Sequence, residues 1–302
     1  MTSPAANLAG RGVWFYPDGL TGNETIEFAQ RLEALGYSAL WLPDAGGRDV
    51  FALAARLLDH TTDLVVASGI ANVYGRDALA MRSAQLTLAE QSEGRFLLGI
   101  GISHQPLVED MRGHAYGKPV TTMRAYLDAM AAADAGYVGP RPAAAPPTVL
   151  AALGPKMLEL ARDAADGAHP YMVTPEHTRQ ARALLGPDRL LCTEQKVVFE
   201  SDREKALSIA RQTAAIAMGL ELPNYRNNLI RLGFEPSDFE DGPSDRVVEA
   251  VVAMGDAAAI EPRLEAHVDA GANHVCVHPI HPEGLSVPWW PTLEALAPAT
   301  SA

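Results

Sequence analysis

Two polar positions stand where short apolar runs end, which is where side chains of α/β enzymes reach their ligands. Asp44 follows the run at 39–43, and Ser103 and His104 follow the run at 96–102. An imidazole with an unperturbed pKa of about 6.5 suits proton transfer at neutral pH. We predict Asp44 and His104 as catalytic candidates. A helix cap or turn for Asp44 and a structural role for His104 stay open.

Glycines at two further positions favour a close approach of the backbone to a ligand. Gly69 interrupts an otherwise apolar run at 64–71, which marks either a simple bulge or a ligand contact. Gly154 precedes Pro155, and proline suits the first position of the helix predicted to follow. The free N–H groups at that helix end would bind a phosphate.

Short apolar runs alternate with amphipathic segments of helix length along the chain, which is typical of a parallel sheet. Eight runs of strand length occur, more than an open doubly wound sheet usually carries, and they predict an α/β fold of the closed (β/α)8 TIM-barrel type. We treat residues 1–302 as a single domain. The predicted strands are 12–16, 39–43, 64–71, 96–102, 148–152, 168–172, 195–200 and 274–278.

Local signals set some of the element boundaries. A helix is predicted at 24–35, and Thr174 opens a second one at 175–185. Residues 220–245, between the seventh and eighth strands, combine a short helical piece with an acidic stretch at 238–241. We predict that this segment is an insertion on the catalytic face of the barrel.

Bulk charge excludes two classes of partner. The formal charge of −13 and the pI of about 5.1 place like charge against nucleic acid and anionic lipid. The sequence contains no long continuous apolar stretch. We therefore expect a small-molecule substrate, no nucleic-acid or membrane partner, and a cytoplasmic location.

Metal-binding patterns are weak in this sequence. Cys192 and Cys276 are the only cysteines, which is too few for a disulfide framework, and they lack paired zinc-ligand spacing. We interpret both as buried, reduced thiols. His274, His278 and His281 cluster at the eighth strand without a known metal motif, so a substrate pocket explains them equally well. We predict no metal site.

The strand ends, taken in order, resemble the luciferase-like oxidoreductases, above all the branch that uses the deazaflavin coenzyme F420. The resemblance spans nearly the whole chain. Each motif is common alone, and the series is what makes the resemblance specific. The motifs are LWLPD at 40–44, SGI at 68–70, EGRF at 93–96 with GIG at 99–101, AALGP at 151–155 and ADGA at 165–168.

The resemblance implies a coenzyme site at the carboxyl ends of the strands, with Asp44 beside the coenzyme or the substrate. A cis peptide without proline would back the central ring of the coenzyme, within the segment Ser68, Gly69 and Ile70. The coenzyme phosphate would lie among Gly101, Ile102, Ser103, Ala152, Leu153, Gly154, Pro155 and Lys156. Relatives in this family are commonly dimers, which implies a homodimer.

Three positions depart from the family pattern. Ala45 stands where many deazaflavin members carry a catalytic histidine. His104 stands where certain relatives carry a glutamate, and it becomes the candidate proton donor. Ile102 or Ser103 replaces an arginine that binds flavin phosphate in bacterial luciferases, which disfavours flavin mononucleotide (FMN).

The resemblance implies hydride transfer between coenzyme F420 and a small organic substrate. One alternative is an FMN-dependent monooxygenase that uses dioxygen and a separate reductase. Another is a barrel relative that binds ligand without turnover, which Ala45 favours. A non-redox lyase or isomerase stays open too, although no strand-end lysine is placed for a Schiff base, since Lys196 is predicted early in the seventh strand.

Overall fold

The computed structural model describes residues 8, 10–219 and 222–298 and contains a closed parallel barrel. Eight strands pair in the order β10-β1-β2-β3-β5-β6-β7-β8, and β8 pairs with β10 from Cys192–His274 to Val197–Pro279. This confirms the predicted fold. The strands are β1 Arg11–Trp14, β2 Ala39–Leu42, β3 Val65–Ser68, β4 Ala71–Asn72, β5 Phe96–Gly101, β6 Thr148–Leu150, β7 Gly167–Ala168, β8 Leu190–Phe199, β9 Val252–Gly255 and β10 His274–Pro279.

Helices cover the outside of the barrel and return the chain between successive strands. Apolar side chains on their inner faces form a core with the outward-facing strand residues. None of the helices in the described part of the chain is long and apolar enough to cross a membrane. They are α1 Gly22–Ala34, α2 Val50–Asp59, α3 Ala78–Gln91, α4 Gln105–Glu109, α5 Pro119–Asp134, α6 Pro155–Ala164, α7 Pro175–Leu185, α8 Arg203–Gly219, α9 Pro223–Arg231, α10 Asp245–Val251, α11 Ala257–Asp269 and α12 Trp290–Ala295.

Capping residues decide where the helices begin. Thr174 caps α7 as predicted, through the bond that its hydroxyl accepts from the His177 N–H. Helix α1 begins earlier than predicted, because Thr21 and Glu24 form a capping box in which each side chain accepts the other's backbone N–H. The predicted start at residue 24 is therefore two residues late.

The interior of the barrel is filled by alternate residues of each strand. Its lower half is apolar and includes Trp41, Ala67, Leu97 and Val149. His274 lies at this end, where its Nδ1 donates to the Leu8 carbonyl at 3.0 Å and its Nε2 accepts from the Trp41 indole at 3.2 Å. Both ring nitrogens are therefore occupied, and His274 has a structural role.

The predicted sixth and seventh strands, 168–172 and 195–200, differ from the observed β7 and β8. Strand β7 is shorter than predicted and ends at Ala168, whereas β8 begins at Leu190, five residues before the predicted 195. The polar residues of β8, Thr193 and Glu194, hid its alternation, although burial inside the barrel makes them part of the strand. Lys196 consequently lies in the later half of β8, and its predicted early position is wrong.

The segment between β8 and β10 contains the predicted insertion. Helix α9 is followed by a 3-10 turn at Pro236–Phe239, by α10 and by β9, which extends the sheet along Lys196–Phe199 of β8. Tyr225 of α9 lies near His104 and Tyr171, with ring centroids 5.7 and 6.1 Å apart. The insertion therefore covers the barrel end at which the strands' carboxyl termini meet, and we call this end the mouth. Residues 220 and 221 of the predicted segment lie outside the described residues.

Candidate active site

The third strand is interrupted at the mouth by a bulge. Between β3 and β4 the Gly69–Ile70 peptide is cis, at the position that the family resemblance implied. The Gly69 carbonyl accepts a hydrogen bond from the Trp14 indole at 2.8 Å, and the Gly69 N–H donates to the Leu42 carbonyl at 2.7 Å. Ser68 is fully buried, and its hydroxyl bonds both the carbonyl and the N–H of Gly99. Its side chain therefore holds β3 to β5 beneath the mouth.

Ile70 forms an apolar platform beside this bulge and is partly exposed. A Cβ atom on Gly101 would lie 2.6 Å from Ile70 Cδ1, and one on Gly99 would lie 2.2 Å from the Ser68 carbonyl oxygen. Glycine at both positions lets β5 pass directly under the bulge. The close approach of β5 to the bulge therefore explains why Gly99 and Gly101 alternate with larger residues in this strand.

Asp44 is tied to the bulge from the other side. Its backbone N–H donates to the Ile70 carbonyl at 3.2 Å, and its Oδ2 accepts from the Asn72 N–H at 3.1 Å. Arg112 Nη2 lies 3.6 Å from Asp44 Oδ1. Asp44 thus anchors the loop after β2 at the mouth and pairs with a cation there. A contact with a coenzyme stays a prediction.

His104 stands at the rim of the mouth, where it precedes α4. Its ring makes no hydrogen bond with any described residue and lies beside Tyr225. Burial lowers the pKa of His104, so the imidazole is neutral at pH 7. Ser103 adopts a positive φ of 55°, and its carbonyl accepts from the Tyr116 hydroxyl at 3.2 Å.

The start of α6 and a cation from the insertion lie side by side, and we call this pair the anion cradle after the ligand that its free N–H groups and positive charge would suit. Gly154 is the N-cap and supplies no side chain to the free N–H groups of the first turn. Arg231 Nη2 lies 3.7 Å from the position that a Cβ atom on Gly154 would occupy. His177 fixes the loop, because its Nε2 donates to the Leu153 carbonyl at 2.9 Å. Burial lowers the pKa of His177, and the charge of Arg231 adds to that effect.

The predicted phosphate segment is only partly available to a ligand. Leu153 and Gly154 are partly exposed, and Pro155 and Lys156 are exposed, whereas the Ala152 side chain is buried in the core. Gly101 is buried under Ile70, while Ile102 remains partly exposed. The backbone of this segment, together with Arg231, is the part that can meet an anion. Arg231 was not predicted, since nothing in the sequence joins it to Gly154, which lies 77 residues earlier (231 − 154).

A buried polar cluster under the mouth was also missed, and we call it the floor: Trp14, His169, Glu194, Lys196 and His278. Lys196 Nζ lies 2.7 Å from Glu194 Oε1 and 3.4 Å from the centroid of the Tyr171 ring. His278 Nδ1 lies 2.8 Å from the same carboxylate oxygen, and the Met172 N–H donates to Glu194 Oε2 at 2.9 Å. Nε2 of His278 and Nε2 of His169 have no partner among the described residues.

Burial and neighbouring charges together set the protonation states of Glu194, Lys196 and His278 in the floor. Burial acts to raise the pKa of Glu194, but Lys196 and the hydrogen bond from His278 outweigh it and hold that pKa at about 2. Burial lowers the pKa of Lys196, and Glu194 only partly opposes this effect. Burial also lowers the pKa of His278 to about 4. Glu194 is therefore ionised and His278 neutral at pH 7.

Phenol groups surround the floor at the mouth. Tyr16 and Tyr171 are partly exposed, and burial raises the pKa of Tyr16 to about 12 with the Glu194 and Asp18 charges acting the same way. Burial also raises the pKa of Tyr171 well above its usual value. Both are neutral phenols across the physiological range, so the floor lies under an aromatic and uncharged cover.

The three histidines at the eighth strand do not converge. His278 belongs to the floor, whereas His281 lies past the strand, where its Nδ1 accepts from the Glu283 N–H at 2.9 Å. Within the described ranges, no group of three or more His, Cys, Asp or Glu side chains is placed to hold a metal ion. Cys192 and Cys276 are buried free thiols, as expected.

A closed parallel barrel of eight strands defines the (β/α)8 class, in which enzymes place their active sites at the carboxyl ends of the strands. The chain belongs to the luciferase-like monooxygenase family, whose family model matches residues 8–274. This confirms the resemblance seen in the strand-end motifs.

Individual relatives are oxidoreductases. A 5,10-methylenetetrahydromethanopterin reductase of Methanolobus tindarius is 30% identical over 155 residues, which is 46% of this chain and 47% of that relative. The match thus spans about half of that protein's length. The structure of a coenzyme F420-dependent tetrahydromethanopterin reductase from Methanopyrus kandleri has a TM-score of 0.69 at 18% identity and covers 96% of this chain and 97% of that one.

A flavin-dependent enzyme shares the same fold. The oxygenating constituent of 3,6-diketocamphane monooxygenase from Pseudomonas putida, in complex with FMN, has a TM-score of 0.69 at 14% identity. It covers 96% of this chain and 97% of that one. The fold therefore occurs in both F420-dependent and FMN-dependent enzymes.

Proposed function

We propose that this protein transfers a hydride between coenzyme F420 and a small organic substrate bound at the barrel mouth. The observation that carries the proposal is the anion cradle of Gly154 and Arg231 at the same end of the barrel as the Ile70 platform. A coenzyme that joins a flat ring to a phosphate needs both an apolar surface and an anion site. The F420-dependent reductase and the methylenetetrahydromethanopterin reductase among the similar proteins support the choice of coenzyme.

The residues at the mouth fit such a coenzyme by their chemistry. Ile70 would lie against the ring, and the first-turn N–H groups of α6 with Arg231 would hold the phosphate. The coenzyme supplies the hydride chemistry when it is bound. This chain's part is to orient the ring, to hold the phosphate and to exclude water, for which Tyr225 of the insertion lies over the mouth.

The FMN-dependent monooxygenase is the competing outcome. FMN also joins a flat ring to a phosphate, and the mouth accommodates either coenzyme on chemistry alone. Ile102 or Ser103 stands where bacterial luciferases carry the arginine that binds flavin phosphate, and this departure disfavours FMN. The homodimer and the cytoplasmic location remain predictions.

Titration of coenzyme fluorescence with two arginine variants tests the cradle. Arg231→Ala removes a charge-assisted hydrogen bond worth about 1.5–3 kcal/mol, so F420 binding should weaken by about 10- to 100-fold. Arg226→Ala is the matched control, since Arg226 on the same helix packs over the Phe239 ring, 5.6 Å from its centroid. Equal affinities of wild type and Arg231→Ala would overturn the cradle, and a preference for FMN would replace the hydride transfer by the monooxygenase.

A further inference from the structure

His278 presents a buried hydrogen-bond acceptor that no described residue uses. Because a carboxylate can only accept, the 2.8 Å contact with Glu194 assigns the proton of the neutral imidazole to Nδ1. Nε2 then carries a lone pair, and it is buried without a partner. Buried polar atoms in folded proteins almost always have partners, so an unpaired one indicates a group that a ligand or water completes.

The His278 ring packs among the aromatic side chains next to the floor. It contacts Trp14, with centroids 4.4 Å apart and planes tilted by 42°, and it approaches Tyr171 and Tyr16 at 6.1 and 6.3 Å. Trp14 in turn bonds the Gly69 carbonyl, so His278 and the coenzyme platform share one neighbour.

We infer that His278 Nε2 accepts the hydroxyl proton of a small, neutral, hydroxyl-bearing substrate while the adjacent carbon gives up its hydride. The inference rests on the proposed hydride transfer and adds to it the substrate class and the proton acceptor. It moves the catalytic proton transfer from His104, at the rim, to His278, in the floor.

The charges of the floor restrict the substrate class. The Glu194 carboxylate and the Lys196 ammonium form a pair with side-chain exposures of 0% and 1%, so they cancel each other and offer no net charge to a ligand. Trp14, Tyr16 and Tyr171 supply an aromatic and uncharged surround. A substrate carboxylate or ammonium would be desolvated there without a counterion, whereas an alcohol with an apolar body would lose little. His278 is fully buried, so an alcohol can reach Nε2 only when a side chain that covers the floor, such as Tyr16 or Tyr171, moves.

The proposed step balances in both directions. In oxidation, the carbinol C–H bond breaks and its electron pair leaves as hydride to the deazaflavin, which is the oxidant. The O–H bond breaks as well, its proton forms the Nε2–H bond of His278, and its electron pair becomes the second bond of the carbonyl group. In reduction, the imidazolium returns the proton to the carbonyl oxygen as hydride arrives at carbon.

Glu194 is the positioning residue of this pair. Its carboxylate fixes the tautomer of His278 and stabilises the imidazolium that forms, as the aspartate does in serine-protease triads. Lys196 and the Met172 N–H keep Glu194 ionised for that role. His169 cannot take the place of His278, because it lies in the interior beneath Gly69. Its Nε2 is 3.2 Å from the position that a Cβ atom on Gly69 would occupy.

Nitrogen NMR of the ring tests the hydroxyl site without any coenzyme. Cyclohexanol should shift the Nε2 resonance of His278 at pH 7, whereas methoxycyclohexane, which has no proton to donate, should not. His278→Gln assigns the resonance by its loss. An Nε2 resonance that responds to neither cyclohexanol nor a panel of smaller alcohols, or equally to alcohol and ether, would overturn the inference.

Single-turnover hydride transfer from the same alcohols to F420 tests the catalytic role. We expect His278→Gln to slow the transfer by about 100- to 10,000-fold, the usual contribution of general base catalysis, with unchanged F420 affinity. Glu194→Gln should slow it less and increase the Nε2–H tautomer in the NMR spectrum. The control is His267→Gln, since His267 is buried outside the barrel and both its nitrogens are bonded, to Thr178 and Gln195.

The two proposals fail in different ways. If wild type transfers hydride and His278→Gln does so equally fast, the inference is wrong and the hydride transfer stands. If wild type transfers none but cyclohexanol shifts the Nε2 resonance, the hydride transfer is wrong, the proton-acceptor role goes with it, and the hydroxyl site stands. Loss of transfer in His104→Gln alone would return the proton to the rim.

Discussion

The ion pair of the floor makes a quantitative prediction about stability. Glu194 and Lys196 are completely buried and 2.7 Å apart, so each variant that removes one charge leaves the other inside the barrel without its counterion. Removing one partner of a buried pair costs about 3–5 kcal/mol, which is a large share of the roughly 5–15 kcal/mol that stabilises a folded protein. We expect this loss for Glu194→Gln and for Lys196→Met.

The double variant should recover most of that loss. With both charges gone, no buried charge is left unpaired, and the Gln amide can still hydrogen-bond to His278. Replacing a whole buried pair by neutral groups is often close to neutral in free energy, so Glu194→Gln/Lys196→Met should lie within about 2 kcal/mol of wild type. The two losses are therefore strongly non-additive.

Urea unfolding of the four proteins measures this coupling as a double-mutant cycle. The exposed pair Arg203–Glu249 provides the control, because its side chains are 63% and 44% exposed and solvent screens their attraction. A cycle at that pair should give much weaker coupling. Additive losses at Glu194 and Lys196 would show that the pair is not ionised together in the folded state and would refute the reasoning about the floor.

Two further predictions concern the same region. Gly101→Ala forces a Cβ atom to within 2.6 Å of Ile70 Cδ1, so it should destabilise the protein by about 1–3 kcal/mol and weaken F420 binding. Urea unfolding measures the first effect and fluorescence titration the second. Gly136→Ala is the control and should have neither effect, because its Cβ atom would meet only the Ala133 carbonyl, at 3.7 Å. The pKa of Glu194 is lowered in the folded state to about 2, so its contribution to stability is full above its unfolded pKa of about 4.5 and is lost as the pH falls toward 2. Over this pH range, wild type should lose about 3 kcal/mol more of its free energy of unfolding than Glu194→Gln does. Parallel curves of unfolding free energy against pH would contradict this prediction.

The barrel itself was predictable from local patterns. Each strand is a short apolar run, and alternation with helices leaves few topologies for eight of them. The same logic failed at the start of β8, because Thr193 and Glu194 interrupt the apolar run that the prediction looked for. Polar residues at alternate positions of a barrel strand were the available signal, and it indicates a site and not the end of a strand.

The candidate site was predictable only where its parts are local in sequence. The bulge at Gly69 and the helix start at Gly154 were found, since glycine and proline mark them directly. His278 and Glu194 are 84 residues apart and meet because β8 pairs with β10 when the barrel closes. His274 and His278 share a face because side chains alternate along a strand. They are four residues apart, about 13 Å along the strand, so one lies at the bottom of the interior and the other under the mouth.

Calorimetric titration of the wild-type protein with oxidised F420 and, at the same salt concentration, with FMN tests the central proposal most directly. The proposed function predicts micromolar binding of F420 and much weaker binding of FMN. Tighter binding of FMN would contradict it in favour of the monooxygenase, and binding of neither coenzyme would contradict both redox functions.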